Sequence, residues 1–396
     1  MRPTLRNRPA LNGVSITVAR TILLSAIAAL LLLTLAPPGR PDARAGEQRL
    51  LILRLTWGPE TDELSEATIT RSVEQASAHI RESSYGRTWL THETTPWLHA
   101  WSEEPTTCDY SQLSTFTTGV ARQSGYDLAR FSHLVFVFPY LAACRWGGSY
   151  SGNVIWLNWA IPYTTLAHEL GHTYGLPEEG PALVGGRPEN YANPYTVMGH
   201  GREHFTAWEK WVFGWLDRVA RPARAGTFSL DALERPSAGS QALAVTIARD
   251  EYWFEYRPAH GVLAYGGANG LEPGRFAGRN VLIGPVGDDG LSVAGAFEVR
   301  VAASDPEAAT LSFRWLDRTR PPRPRVRVRG RVVEWNRVLD TGSGVARYEV
   351  HAGKRLRVVP AWRSLGRTIV QADTRVTLAG RPVRVVAVDR AGNRSR

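Results

Sequence analysis

The sequence is nearly without lysine, methionine and cysteine. Its 396 residues hold two lysines, Lys210 and Lys354, so the positive charge is carried by arginine. The two cysteines, Cys108 and Cys144, are too few for a four-thiolate zinc cluster, which excludes a hidden zinc ribbon. Beyond the initiator there is one methionine, Met198. Long apolar runs are also missing. The longest, Thr21 to Ala36, is sixteen residues, short of the about 20 that a membrane span needs. No aromatic-basic reading motif accompanies the arginines, so nucleic-acid binding is not expected.

What is present starts at the N-terminus. Arg2, Arg6, Arg8 and Arg20 precede the apolar run, Pro37-Pro38 breaks it, and Ala43-Arg44-Ala45 offers a small-x-small cleavage site before Gly46. Residues 1–45 read as a secretory signal, with an uncleaved membrane anchor as the alternative. Either way the remainder is expected to be secreted or extracytoplasmic. In an oxidising compartment Cys108 and Cys144 read as one disulfide, against the alternative of two buried thiols.

The net charge of +10 is uneven. Residues 1–45 carry a net +5, residues 46–317 a net −10, and residues 318–396 a net +15. An acidic body with a basic tail suits attachment to an anionic cell-surface polymer or membrane surface, although an arginine-rich codon composition would produce the same excess.

The chemistry lies in His168-Glu169-Leu170-Gly171-His172-Thr173-Tyr174-Gly175-Leu176-Pro177-Glu178. Positions i and i+4 share a helix face, so His168 and His172 can offer two imidazole nitrogens to one metal. Glu169 points about 100° around the same helix. It is poorly placed to ligate with them but can reach a water held by the ion. Zinc lowers the pKa of such a water towards about 7, and a carboxylate can then take the proton. Gly175 tolerates the left-handed conformation that ends a helix sharply, and Pro177 prevents its continuation. Glu178 arrives where a third ligand is needed, with adjacent Glu179 as the alternative. Thr196-Val197-Met198-Gly199 follows. His200, Tyr195 and His204 are weaker candidates for hydrogen bonding to a transition state, and His204 also for completing the metal site.

The conjunction of zinc helix and methionine turn resembles the metzincin zinc peptidases. More closely it resembles the gametolysin family, and next the immune inhibitor A family. The supporting stretches are Cys144-Arg145-Trp146-Gly147-Gly148, Ile155-Trp156-Leu157, Glu82-Ser83-Ser84-Tyr85-Gly86, Phe205 to Trp211 with Phe213-Gly214-Trp215-Leu216, and Tyr252-Trp253-Phe254-Glu255-Tyr256-Arg257. They lie between about residues 48 and 317. The resemblance implies a zinc peptidase with Met198 as the apolar floor under the metal. The departure is the third ligand, histidine in gametolysin-like enzymes and Glu178 here. A His₂Glu set is an acceptable zinc site.

Periodicity places strands at Gln48–Trp57, Thr88–Trp101 and His133–Phe138, helices at Ala67–Ile80 and Ser114–Ser124, an edge strand at Asn153–Asn158, and the zinc helix at Thr164–Tyr174. Trp208, Trp211 and Trp215 read as one apolar helix face. After Asp217, short alternating strands with Gly and Pro dominate, and Gly287-Asp288-Asp289-Gly290 reads as a plain turn. Pro321-Pro322-Arg323-Pro324 reads as a linker to a module that resembles a fibronectin type III β-sandwich.

The expected fold is α+β. A metzincin-like zinc peptidase domain (46–218) is followed by a β-rich domain (219–317) and a C-terminal β-sandwich (318–396). The expected function is a secreted zinc endopeptidase holding Zn²⁺ by His168, His172 and Glu178, with Glu169 as general base and then acid. The alternative is a non-catalytic adhesion or wall-binding protein on the same scaffold. Retention of Glu169 speaks against it, because a metal-only site has no use for that carboxylate. Hydrolysis of a non-peptide amide or ester also fits the motif.

Overall fold

The computed structural model describes residues 45–57, 64–99, 103–176, 180–247, 250–267, 280–293, 295–365 and 368–396. Residues 1–44 of the expected leader, and both Glu178 and Glu179, lie outside the described residues.

The first sheet contains β1 (Gly46–Thr56), β2 (Thr88–Thr94), β3 (Leu98–His99), β4 (His133–Phe138), β5 (Gly148–Ser151) and β6 (Val154–Asn158). Its order is β2-β1-β4-β6-β5, with β3 on the far end of β1. All neighbours are parallel except β5, which runs antiparallel to β6. Leu50, Leu51, Ile52, Leu53 and Leu55 of β1 are all buried, because both faces of this central strand are covered. Helices α1 (Glu66–Ser83) and α3 (Tyr163–Thr173) pack through Ile69, Val73, Ile80, Leu166 and Leu170 on the face bearing Leu50 and Ile52. Helix α2 (Tyr110–Gln123) packs on the opposite face, with Leu113 and Ala121 against Leu51 and Leu53. Ser65 caps α1 and Asp109 caps α2 by accepting backbone N–H bonds. The expected edge strand at Asn153–Asn158 is a correction: β6 is internal, and β5 forms the edge. The expected strand Thr88–Trp101 is likewise broken, into β2 and β3.

Beyond the first sheet the elements are β7 (Ala182–Val184), β8 (Arg187–Glu189), α4 (Ala207–Phe213), β9 (Val219–Ala220), β10 (Gly226–Asp231), β11 (Ala242–Ile247), β12 (Asp250–Arg257), β13 (Gly261–Gly267), β14 (Asn280–Pro285), β15 (Leu291–Val293), β16 (Phe297–Ser304) and β17 (Ala308–Trp315). A second sheet runs β8-β7-β14-β13-β12-β11-β9, and a third runs β10-β17-β16-β15. One face of the second sheet packs Leu243, Phe254 and Ala264 against Phe297, Leu311 and Phe313 of the third. Its other face packs Ala244, Trp253, Leu263 and Tyr265 against Ala207, Leu216, Trp208 and Trp211. The second sheet is therefore a middle layer. Because β7 and β8 belong to it, backbone pairing crosses the boundary expected between residues 218 and 219. The tryptophans do not share one helix face. α4 stops at Phe213 with Gly214 left-handed, so Trp215 lies beyond it in the core under α3.

The C-terminal strands form a sheet of 326–329, 332–335 and 375–377, and another of 345–352, 355–360 and 383–389. Val333, Trp335, Tyr348, Val350, Val385 and Ala387 fill the space between them. The proline segment is not a free linker: Pro321 and Pro324 are buried. Asp317 accepts bonds from the N–H (2.7 Å) and Oγ (2.8 Å) of Ser343, which fastens the module to the preceding strand. Gly287–Gly290 is the expected turn, closed by Gly290 N–H to Gly287 O at 2.9 Å.

Candidate active site

Helix α3 starts after Pro162 without a side-chain cap. Leu166, Ala167 and Leu170 anchor it to the sheet. His168 and His172 then lie together on another face, both buried. His168 Nδ1–H donates to Val197 O at 3.1 Å, and His172 Nδ1–H donates to Leu176 O at 2.8 Å. Each bond fixes the proton on Nδ1 and leaves Nε2 with its lone pair. The two Nε2 atoms converge to 3.1 Å. Two ligands of one tetrahedral zinc, at about 2.0–2.1 Å from the ion, lie roughly 3.3 Å apart. The donor set and its geometry fit a shared metal. Burial, and then His172, push the His168 imidazole down to about 4, despite the bond to Val197. The His168 imidazole is thus neutral and able to ligate at ordinary pH.

Glu169 is buried on the same helix, towards β5. A Cβ on Gly148 would lie 2.5 Å from Glu169 Oε1 and 2.8 Å from Thr165 Cγ2. The missing side chain at 148 is what lets the carboxylate rest against the edge strand. Below the helix, a Cβ on Gly171 would meet Met198 Sδ at 2.4 Å and Phe205 Cε1 at 3.1 Å. Glycine between the two histidines allows the methionine turn to approach this closely. Gly175, at φ 110°, ends the helix, and its N–H donates to His172 O at 2.9 Å. The chain returns at Gly180, where a Cβ would lie 2.4 Å from Gly199 N. Gly180 thus lies against the methionine turn, at Met198 and Gly199. Among the described residues, the one group of three acidic, histidine or cysteine side chains at metal-holding spacing is Asp317, Asp340 and Asp389, at the junction with the C-terminal module and far along the chain from this pair.

Two tyrosines bracket the pair. Tyr150 of β5 stacks on His172 at 4.4 Å between centroids and 11°. Tyr191, with φ 61°, stacks on His168 at 5.6 Å and 24°. Neither had been expected from the sequence. Tyr150 carries a faint signal, an aromatic in a Gly-Ser-Tyr-Ser edge strand, and Tyr191 carries none. The weaker sequence candidates lie elsewhere. His200 Nδ1–H donates to Tyr191 O at 2.8 Å, so it supports that tyrosine's backbone. Tyr195 packs on His260 at 4.7 Å. His204 is buried against Glu82 (3.4 Å) and His79 (centroids 6.0 Å), at the end of α1, and is not grouped with His168 and His172.

The approach to the helix is braced by Cys108–Cys144, a disulfide closing 36 residues of sequence. Buried Asn158 reinforces it. Its side chain accepts from Leu141 N–H (2.8 Å) and donates to the carbonyls of Leu141 (3.1 Å), Cys144 (2.8 Å) and Trp146 (3.1 Å).

Residues 72–257 match the gametolysin peptidase M11 family model. The match supports a peptidase, and it spans α3, the methionine turn, α4 and β12 to its last residue, Arg257. It thus extends past residue 218 into the second sheet. No curated protein matches the chain. One solved structure, titled "Structure of a chaperone-substrate complex", aligns at 14% identity with a TM-score of 0.28. The alignment covers 40% of this chain and 28% of that one, and at such a score it carries no argument about this chain.

Proposed function

We propose that this gametolysin-like chain is an exported zinc-dependent endopeptidase. The observation that carries the reading is the convergence of two Nε2 lone pairs at 3.1 Å on the helix that also holds Glu169. His168, His172 and Glu178 would hold the ion, with Glu179 as the alternative third ligand. Bound there, zinc would acidify water and polarise a carbonyl. Glu169, held towards the Gly148 edge of the cleft, takes the proton from the attacking water and returns it to the leaving amine. Tyr150 and Tyr191 fix the planes of the two imidazoles. β5 ends the sheet, and an extended peptide would pair along it, a mode in which strand pairing supplies affinity. We further propose that residues 1–45 direct export, as a cleaved signal or an anchor. The C-terminal module, fibronectin type III-like in its two-sheet arrangement, would attach to an anionic surface polymer. Its 20 basic residues outnumber its 5 acidic ones, a net of +15.

The test is metal content alongside peptide hydrolysis. Glu169→Ala should keep close to one zinc per chain and lose about 100-fold or more in rate. Substantial residual activity sinks the base assignment. Glu178→Ala should lose zinc on mild dialysis, Glu179→Ala should keep it, and Glu178→His should restore it. The opposite outcome for the two alanine variants would move the third ligand to Glu179.

A further inference from the structure

Val197 O orients His168, so whatever holds the Val197–Met198 backbone also holds the ligand. That backbone is fixed by Thr196. Its Oγ1 accepts from Met198 N–H at 3.2 Å and donates to Glu209 Oε2 at 2.7 Å. The same carboxylate oxygen accepts Thr206 N–H at 2.7 Å, while Thr206 Oγ1 accepts Glu209 N–H at 3.3 Å. The result is a capping box at the start of α4. A capping box works at the surface, so burial of this carboxylate is more than a cap requires. Its second bond, to Thr196, accounts for the difference.

The start of α4 is held in turn from β12. Glu255 Oε2 accepts Ala207 N–H at 2.6 Å. Its Oε1 receives Arg257 Nε–H at 2.7 Å and Tyr265 O–H at 3.1 Å. Arg257 Nη2 reaches the carbonyls of His204 (3.2 Å) and Phe205 (3.4 Å). Glu209, Glu255 and Arg257 are all buried. Phe205 is one of the two residues that touch the helix at Gly171, and Met198 is the other. Both sides of the floor therefore hang from one set of buried ions.

We propose that Thr196 and Glu209 are positioning residues for the metal, with Glu255 of β12 as their anchor. The second sheet is on this account a working part of the active site. The inference rests on the zinc-peptidase reading above. Burial, the dominant influence, pushes the Glu209 carboxyl up to about 7, which marks the cost of keeping it there.

The test measures zinc affinity of the full chain by competition with a chelating dye, beside kcat, KM and the thermal midpoint of the metal-free protein. Thr196→Val removes both bonds at constant shape and should weaken zinc binding by about 10–100-fold, as loss of an outer partner of a ligand does. Loss of activity should appear in kcat at saturating zinc, with KM little changed. Thr196→Ser restores the hydroxyl and should restore affinity. Glu209→Gln, which keeps the shape and one acceptor, should fall between them. Zinc affinity of folded Thr196→Val or Glu209→Gln within about twofold of wild type overturns the proposal. Should Thr196→Val fail to fold, the comparison of Thr196→Ser with Glu209→Gln decides. If wild type itself binds no zinc, the fault lies with the zinc-peptidase reading.

Discussion

The helix carrying His168 and His172 and the turn carrying Met198 meet at Gly171, yet different forces hold them. The helix is held by apolar burial, Leu166, Ala167 and Leu170 against β4 and β6. The turn is held by hydrogen bonds to buried carboxylates, from α4 and then from β12. Even one of the two lysines is drawn in: Lys210 is buried, its Nζ donating to Tyr85 Oη at 3.1 Å and Leu233 O at 2.9 Å. Burial, followed by Arg257, pushes its ammonium down to about 7. Apolar packing tolerates small shifts, whereas a buried carboxylate stripped of a donor costs about 1–3 kcal/mol or more. The site thus has a forgiving wall and an exacting one.

The largest effect expected from this contrast comes from removing the exacting wall. A chain ending at Arg218 lacks Glu255, Arg257 and the β14 partner of β7, and should be insoluble or inactive. A chain ending at Asp317 keeps all of them. It loses the two Ser343 bonds to Asp317 and should cleave small peptides at near wild-type rates, with a thermal midpoint lower by a few degrees. Equal activity of the two truncated chains would show that the second sheet is dispensable.

The next effect probes the forgiving wall at a tight point beside Glu169. Gly148→Val puts atoms where Glu169 Oε1 lies, so the carboxylate must move. Hydrolysis should fall about 100-fold, as misplacement by about 1 Å can produce. Zinc content should stay unchanged, because the Nδ1 bonds that orient both imidazoles run to Val197 and Leu176 and not to β5. Loss of zinc in this variant would mean that the helix itself had shifted.

The smallest effect is on acid stability. Burial, with help from Lys210, pushes His79 down to about 4, and burial with Lys210, His79 and Arg257 pushes His204 down to about 2. Between its folded value and the ordinary 6.5, each imidazole is protonated in the unfolded chain and neutral in the folded one. Their contribution is full above about 6.5 and is lost as pH falls, towards about 4 for His79 and on towards about 2 for His204. Urea unfolding of metal-free protein at pH 7 and pH 5 should show the loss, and His79→Phe should reduce it. An equal loss in that variant would clear His79.

The forgiving wall is the part most legible in the sequence. Histidine spacing of four, the glycine after it and apolar β1 are local patterns, and local patterns dictate helix and central strand. The exacting wall is not legible in that way. Glu255 and Arg257 alternate in β12 as they would on a solvated strand face, and only the pairing of distant segments turns that face inward. The internal place of β6 is legible, since Val154-Ile155-Trp156-Leu157 is the continuous apolar run of a strand covered on both faces, whereas Gly148-Ser149-Tyr150-Ser151 is not. Trp208, Trp211 and Trp215 mislead for a different reason. A left-handed Gly214 ends the helix between the second and the third.

The pairing of β7 with β14 has a consequence in time. Pro181 O accepts Leu282 N–H at 2.9 Å, so the strand after the histidine helix finds its neighbour about a hundred residues later in the chain. Synthesis at about 5–20 residues per second puts that neighbour roughly five to twenty seconds behind. Throughout that interval the histidine helix can exist while the loop that should close beneath it has no sheet to join. A chain being made would therefore carry an unfinished site until its second sheet emerges, and a peptidase built this way would be harmless for as long as it is incomplete.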